Sequence, residues 1–385
     1  MRKTNEPTTT NLKKKKRKPD KPVVYFDFSL LFIILFLLAF GLIMVYSTSA
    51  YMADLKLGQA DYYFKRQLMT STMGLVCMFI ASRFDYHRYK KLSGLVYVVG
   101  FLCCLLVAIP GIGIEYNGSR RWLGYGPISF QPSELAKLAC LIVVACVVSN
   151  MPKNINKFTN VIKTFVIVLP IFGLVAYTNL SNAIIIMAIT IFIIFVASRK
   201  YAQFFVTAGV IGVMGVVFIL AESYRASRID AWLHPETSPK GYQTLQGLYA
   251  IGSGGLFGKG LGQSMQKLGF VPEAQNDMIF SIICEELGLF GAICIILLFV
   301  LMIWRFVVIA NNAKDLLGSL LVVGVMGHIA TQVILNIAVV TNSIPNTGIS
   351  LPFISYGGTS VIFLLTEMGI VLNVSRGIQI EEQYE

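Results

Sequence analysis

The stretch Phe28–Thr48, FSLLFIILFLLAFGLIMVYST, decides the fold. It carries no charged side chain over a length that, as a helix, crosses about 30 Å of hydrocarbon. Similar apolar segments follow at roughly 67–82, 93–110, 134–150, 161–177, 183–198, 203–221, 278–304, 317–340 and 360–375. Composition agrees: 55% of the 385 residues are hydrophobic, only 14% are charged, and the mean hydropathy is +0.69. A soluble domain carries about 25% charged residues. With so few charges, lipid is the solvent. The expected fold is all-α: a polytopic membrane protein of about ten transmembrane helices, with a long extracytoplasmic loop between helices 7 and 8.

The formal net charge of +12 is unevenly placed. Residues 1–21 hold nine basic side chains against Glu6 and Asp20. Beside a first span such a cluster reads as a topology signal that touches anionic lipid, and not as a nucleic-acid site. Residues 1–24 are therefore expected to form a disordered basic cytoplasmic tail, 25–377 the membrane domain and 378–385 a short cytoplasmic tail. The apolar stretch after the basic tail is too long for a cleavable signal peptide. With both termini cytoplasmic, the inner segments hold 21 of the 32 Lys and Arg residues; short loops such as Arg83 to Lys91 give the clearest bias. The seven cysteines all lie in apolar segments without metal-ligand spacing and read as packing residues.

Two outer loops stand out. Residues 111–133 hold Arg120, Arg121 and Trp122, a guanidinium pair beside an aromatic that suits either a phosphate or sugar ligand or lipid head groups. The loop from Glu222 to Asp277 is too long for a plain connector. It contains the glycine run 252–262 with Lys259, which lacks P-loop spacing and reads first as flexible turns packed on the membrane surface, and second as a set of amides for a pyrophosphate. At its end, Asp277 or Asn276 is an N-cap, or Asp277 is a carboxylate at a cleft mouth whose partial desolvation suits a general base; the two roles can coexist.

Glu285 and Glu286 lie about two and a half turns beyond Asp277, where charge needs a cavity or a partner. Glu134 and Lys137 share one helical face, as an ion pair or as catalytic groups. His328, Gln332 and Asn336 repeat at i, i+4, i+8 as a polar stripe, more often helix–helix glue than a ligand site, and Glu367 needs a partner. Thr341 to Thr359, rich in Gly, Pro, Ser and Asn, is expected to break the helix and line a cavity.

Four blocks, in order, resemble the SEDS family of bacterial cell-wall proteins, which includes FtsW, RodA and SpoVE. They are Asn117–Lys137 (NGSRRWLGYGPISFQPSELAK), Gly241–Gly262, Pro272–Gly288 (PEAQNDMIFSIICEELG) and Asn342–Gly358 (NSIPNTGISLPFISYGG). The stretch Gly262–Lys267 and Thr359–Ser360 are more similar to the FtsW/SpoVE branch. The resemblance implies peptidoglycan glycosyltransfer from lipid II in division or sporulation, at the bacterial cytoplasmic membrane, with a class B penicillin-binding protein as the transpeptidase partner.

It places the family's essential aspartate on Asp277 and its other motif positions on Arg121, Trp122, Glu134 and Lys137. Arg120, Lys259, Glu285 and Glu286 join these as substrate-binding candidates. Arg121, Lys137 and Lys259 would offset the diphosphate charge, with a divalent cation (Mg or Mn) as a further clamp and no organic cofactor. The chain departs from the family at Gln275-Asn276-Asp277-Met278, where His-Thr-Asp-Phe is frequent, and at Thr178-Asn179-Leu180-Ser181, where Pro-Asp-Leu-Gly is common. The rival readings are a lipid II flippase and a non-catalytic scaffold for the transpeptidase.

Overall fold

The computed structural model describes residues 25–109, 111–116, 119–125, 128–151, 157–198, 209, 223–239 and 241–378. Nearly every apolar segment read from the sequence falls on a helix: α1 (Phe28–Leu57), α2 (Tyr62–Arg83), α3 (Tyr89–Ala108), α4 (Pro132–Ser149), α5 (Phe158–Thr178) and α6 (Leu180–Ala197) come first. Later come α7 (Ser223–Leu233), α8 (Tyr242–Gly254), α9 (Ile279–Asn311), α10 (Leu316–Val340) and α11 (Gly358–Ser375). The expected span at 203–221 and the basic tail lie outside the described residues. Among the described residues eight helices are long and apolar enough to cross a membrane. Helix α2, with Lys65, Arg66 and Arg83, is more polar and packs along α11.

Polar contacts mark the two ends of the bundle. At the end where α1 begins, Asp27 caps the helix by accepting from Leu30 N at 2.9 Å and pairs with Arg305 at 2.7 Å. His87 sits between Asp85 and Asp315 at that same end, at 2.7 and 2.6 Å. There too Asn373, near the end of α11, accepts from the Tyr86 amide at 3.1 Å. Helix α1 therefore starts, and α11 finishes, at one face. Twenty residues up α1, about 30 Å at 1.5 Å per residue, Ser47 donates to Glu286 at 2.8 Å. The two polar layers are thus one hydrocarbon thickness apart.

The opposite face carries the connecting segments. The 111–133 region, read from sequence as a loop, is a three-stranded antiparallel sheet in the order β1 (Ile114–Tyr116), β2 (Ser119–Tyr125), β3 (Ile128–Phe130). Its polar sequence hid a hairpin that closes on itself with Glu115 opposite Arg120. Thr359, opening α11, donates to the Ser129 carbonyl at 3.3 Å and ties the sheet to the bundle. The long loop holds two helices, α7 and α8, before a run of turns, and Gly247, Ala250 and Gly254 let α8 lie close against the first turns of α9.

Helix α9 is not the single unbroken span that 278–304 suggests. It is interrupted at Gly288 (φ 68°, ψ −170°). A Cβ there would meet Gly258 N at 2.3 Å and Leu256 O at 2.5 Å, and the positive φ favours glycine. The loop passes through the break and satisfies both exposed helix ends. Lys259 N and Gly260 N donate to the carbonyls of Glu285 and Glu286, at 3.0 and 2.9 Å. Leu289 N and Phe290 N donate to Gly255 O and Leu256 O, at 2.9 and 3.0 Å. The half after Gly288 is itself long enough to span, at about 34 Å.

Candidate active site

Asp277 ends the long loop one residue before Met278, the N-cap position of α9. That helix start has no side-chain cap, so the N-cap reading of Asp277 does not hold. Asn276 is engaged elsewhere, donating to Glu273 at 2.8 Å. The Asp277 carboxylate is instead partly exposed and receives the Gln243 side-chain amide of α8 on Oδ1 at 3.3 Å. Crowding strips it of water and pushes its pKa up to about 6 from the ordinary 3.8; its own amide, Gln243 and the Arg228 guanidinium pull the other way, and Glu273 adds to the rise. At that value the group is ionised at neutral pH yet holds a proton well enough to serve as a base.

The residues around it come from the 341–357 segment, which does break the helix as its composition suggests. Asn336, fully buried on α10, donates to Asp277 O at 2.8 Å and to Ile349 O at 2.7 Å, clamping two chain segments together. Gln332 donates to Ser350 O at 3.0 Å. The polar stripe on α10 is therefore glue, between a helix and a loop at Asn336 and Gln332. Its lowest member, His328, meets Glu367 at 2.8 Å inside the bundle. Arg228 donates to Asn346 O at 3.1 Å, and Tyr356 N to Gln275 O at 2.9 Å.

The sequence profile of the family described as cell cycle protein, FtsW/RodA/SpoVE, matches residues 28–379. The chain belongs to that family. Stage V sporulation protein E of Bacillus subtilis (strain 168) is 44% identical over 361 residues, 91% of this chain and 97% of the relative. A probable peptidoglycan glycosyltransferase FtsW of Trichlorobacter lovleyi is 36% identical, covering 94% and 96%. Among solved structures, one chain of a peptidoglycan synthase complex that coordinates polymerization and crosslinking superposes with a TM-score of 0.77 at 26% identity, covering 91% of this chain and 98% of that one. The rod shape determining protein RodA of Thermus thermophilus gives 0.69 at 25% identity, covering 92% and 98%.

The remaining candidates of this FtsW/RodA/SpoVE chain fall into separate groups. Glu134 and Lys137 form a buried ion pair of 2.9 Å at the head of α4, and Glu134 Oε2 has no hydrogen-bond partner among the described residues. The pair joins the Asp277 rim through α6: Asn182 donates to Ser133 at 2.7 Å, and Ser181 to Thr347 O at 2.6 Å. Arg121 donates to Thr178 O, capping the end of α5, and lines a small cleft with Cys104, Val107, Ser133 and Asn179. Trp122 stands opposite Ile114 in the sheet, and Arg120 pairs with Glu115 across the strands at 3.4 Å.

Glu285 and Glu286 form a third group. Both are fully buried at the rim and saturated by the loop. Glu285 takes Lys259 at 2.7 Å, Ser264, and the amides of Met265 and Gln266. Glu286 takes Lys267 at 2.7 Å and Ser47. They lie about two and a half turns beyond Asp277, as helix counting gives, and the folded-back loop brings their partners to them. Sequence reasoning did not single out Gln243, Asn346 and Gly348, although all three lie in blocks that carry the family resemblance.

Proposed function

We propose that Asp277 is the general base with which this membrane protein, a peptidoglycan glycosyltransferase, polymerises lipid II. The observation that carries the reading is a partly exposed carboxylate with a pKa raised to about 6, at the face opposite the one where α1 begins. A hydroxyl of the acceptor sugar gives its proton to Asp277 as its oxygen attacks the donor's anomeric carbon. The bond from that carbon to the diphosphate oxygen breaks, and the lipid diphosphate leaves with the electron pair. Base catalysis of this kind contributes about 10²–10⁴-fold.

Charge on the leaving diphosphate needs cations. We assign that task to Arg121 at its cleft and to Lys137 and Lys259, whose carboxylate partners hold them in place. A Mg or Mn ion enters this reading on the diphosphate: among the described residues no group of three His, Cys, Asp or Glu side chains is placed to hold a metal. The α1-start face, with the basic residues 1–21 before it, is cytoplasmic in this scheme, and the site opens outward where a class B penicillin-binding protein crosslinks the product. Neither a flippase nor a scaffold gives Asp277 a chemical task.

The test is a gel assay of the purified full-length chain with lipid II, alone and with its transpeptidase. Asp277→Asn is expected to elute as the wild type and to make no polymer. Polymer at the wild-type rate from that variant would end the assignment.

A further inference from the structure

The amides around Asp277 have a polarity that can be traced from a donor with no freedom. Gly348 N–H donates to Asn346 Oδ1 at 3.0 Å. A backbone amide can only donate, so the Asn346 oxygen faces Gly348 and its nitrogen faces away. That nitrogen donates to Gln243 Oε1 at 3.2 Å. The Gln243 oxygen is thereby occupied, and its NH₂ is the end presented to Asp277 Oδ1 at 3.3 Å, with a second weak contact to Pro272 O at 3.4 Å. Reversing either amide breaks all of its contacts.

The two carboxylate oxygens of Asp277 are therefore unequal. Oδ1 is held by a neutral donor. Oδ2 faces Gly348, where a Cβ would stand 3.9 Å away, and the φ of +69° there favours glycine. The glycine keeps the approach to Oδ2 clear. The groups that act on the carboxylate are its own backbone amide, Glu273 from its own loop, Arg228 from α7 and the Gln243 amide from α8; Asn336 of α10 holds the Asp277 backbone carbonyl, and from the 341–357 segment Asn346 holds Gln243 while Gly348 lies beside Oδ2.

We infer that Gln243, oriented by Asn346 and Gly348, is a positioning residue that pins Oδ1 of Asp277 so that Oδ2 takes the proton of the acceptor hydroxyl. The inference rests on Asp277 being the base. A donor on Oδ1 favours the ionised form, so its loss makes Asp277 easier to protonate.

The experiment measures the pH profile of lipid II polymerisation by the full-length chain with its transpeptidase, for wild type, Gln243→Leu, Asn346→Leu and Asp277→Asn. Gln243→Leu is expected to lower kcat by about ten- to hundredfold at unchanged KM, as a misplaced reacting group does. It is also expected to move the acid limb of the profile upward by about one pH unit, the scale of a lost hydrogen bond to a charged acceptor. Asn346→Leu takes the donor from Gln243 Oε1 without adding a charge near Asp277 and should move the limb the same way. It stands in for Gln243→Leu if that variant fails to accumulate. An inactive Asp277→Asn with acid limbs fixed in both other variants overturns the inference and leaves the base intact, because a merely structural loss lowers the amount of active protein without moving a limb. An active Asp277→Asn overturns the base itself.

Discussion

Asp277→Asn should make the protein more stable as it makes it inactive. The substitution keeps the shape of the side chain, and Asn Oδ1 still accepts from Gln243. What it removes is a charge held where water is scarce. The folded-state pKa of about 6 lies roughly two pH units above the ordinary 3.8. At 1.36 kcal/mol per unit, the ionised group costs the fold about 3 kcal/mol. Asp277 is partly exposed, so solvent screening reduces this to about 1–2 kcal/mol.

The sign follows from proton counting. Between about pH 4 and pH 6 the folded state binds more protons at this site than the unfolded state does, so stability falls as pH rises through that window. The cost is absent at pH 4 and complete above pH 6. Thermal unfolding in detergent should therefore place Asp277→Asn a few degrees above wild type at pH 8 and level with it at pH 4. A variant less stable at pH 8, or equally displaced at both pH values, would show that the carboxylate is not held under strain and that the base reading lacks its physical ground.

Two further predictions concern the loop that delivers Asp277. Lys267→Met strands Glu286 as a buried charge and should cost about 3–5 kcal/mol in thermal unfolding; adding Glu286→Gln should recover most of it, whereas a double variant no better than the single would mean the pair is not coupled. Gly288→Ala drives a methyl into the backbone of Leu256 and Gly258, and limited proteolysis should then cut within residues 255–277 far faster than in wild type; an unchanged digestion pattern would show that the break tolerates a side chain.

The helices were legible because apolar length is a local property. Phe28–Thr48 or 317–340 needs no partner to be recognised as membrane-spanning. The break in α9 was not, because Gly288 within an apolar run looks like any helical glycine until Gly258, thirty residues earlier, is brought against it. Glu285 and Glu286 lie as many turns beyond Asp277 as counting gives, and they do have partners, but which partners was hidden: the loop folds over the first turns and carries Lys259 and Lys267 to the carboxylates. Asp277 itself was legible from a loop meeting an apolar helix. Its partner Gln243 was not, since the pair is 34 residues apart and only the packing of α8 on α9 joins them. The sheet at 114–130 stayed hidden because its short strands alternate too few apolar residues to signal a period of two.

The spacing of the two polar layers sets a gauge for the surrounding bilayer. Asp27 and Arg305 bind the bundle at one water boundary, and Ser47, Lys267 and Glu286 bind it at the other. A thinner membrane exposes apolar rim to water and a thicker one draws the ionic cluster beneath the head groups, each at a cost that grows with every ångström of mismatch. Since that cluster anchors the segment ending in Asp277, acyl-chain length becomes a variable to which the Asp277 carboxylate is mechanically tied.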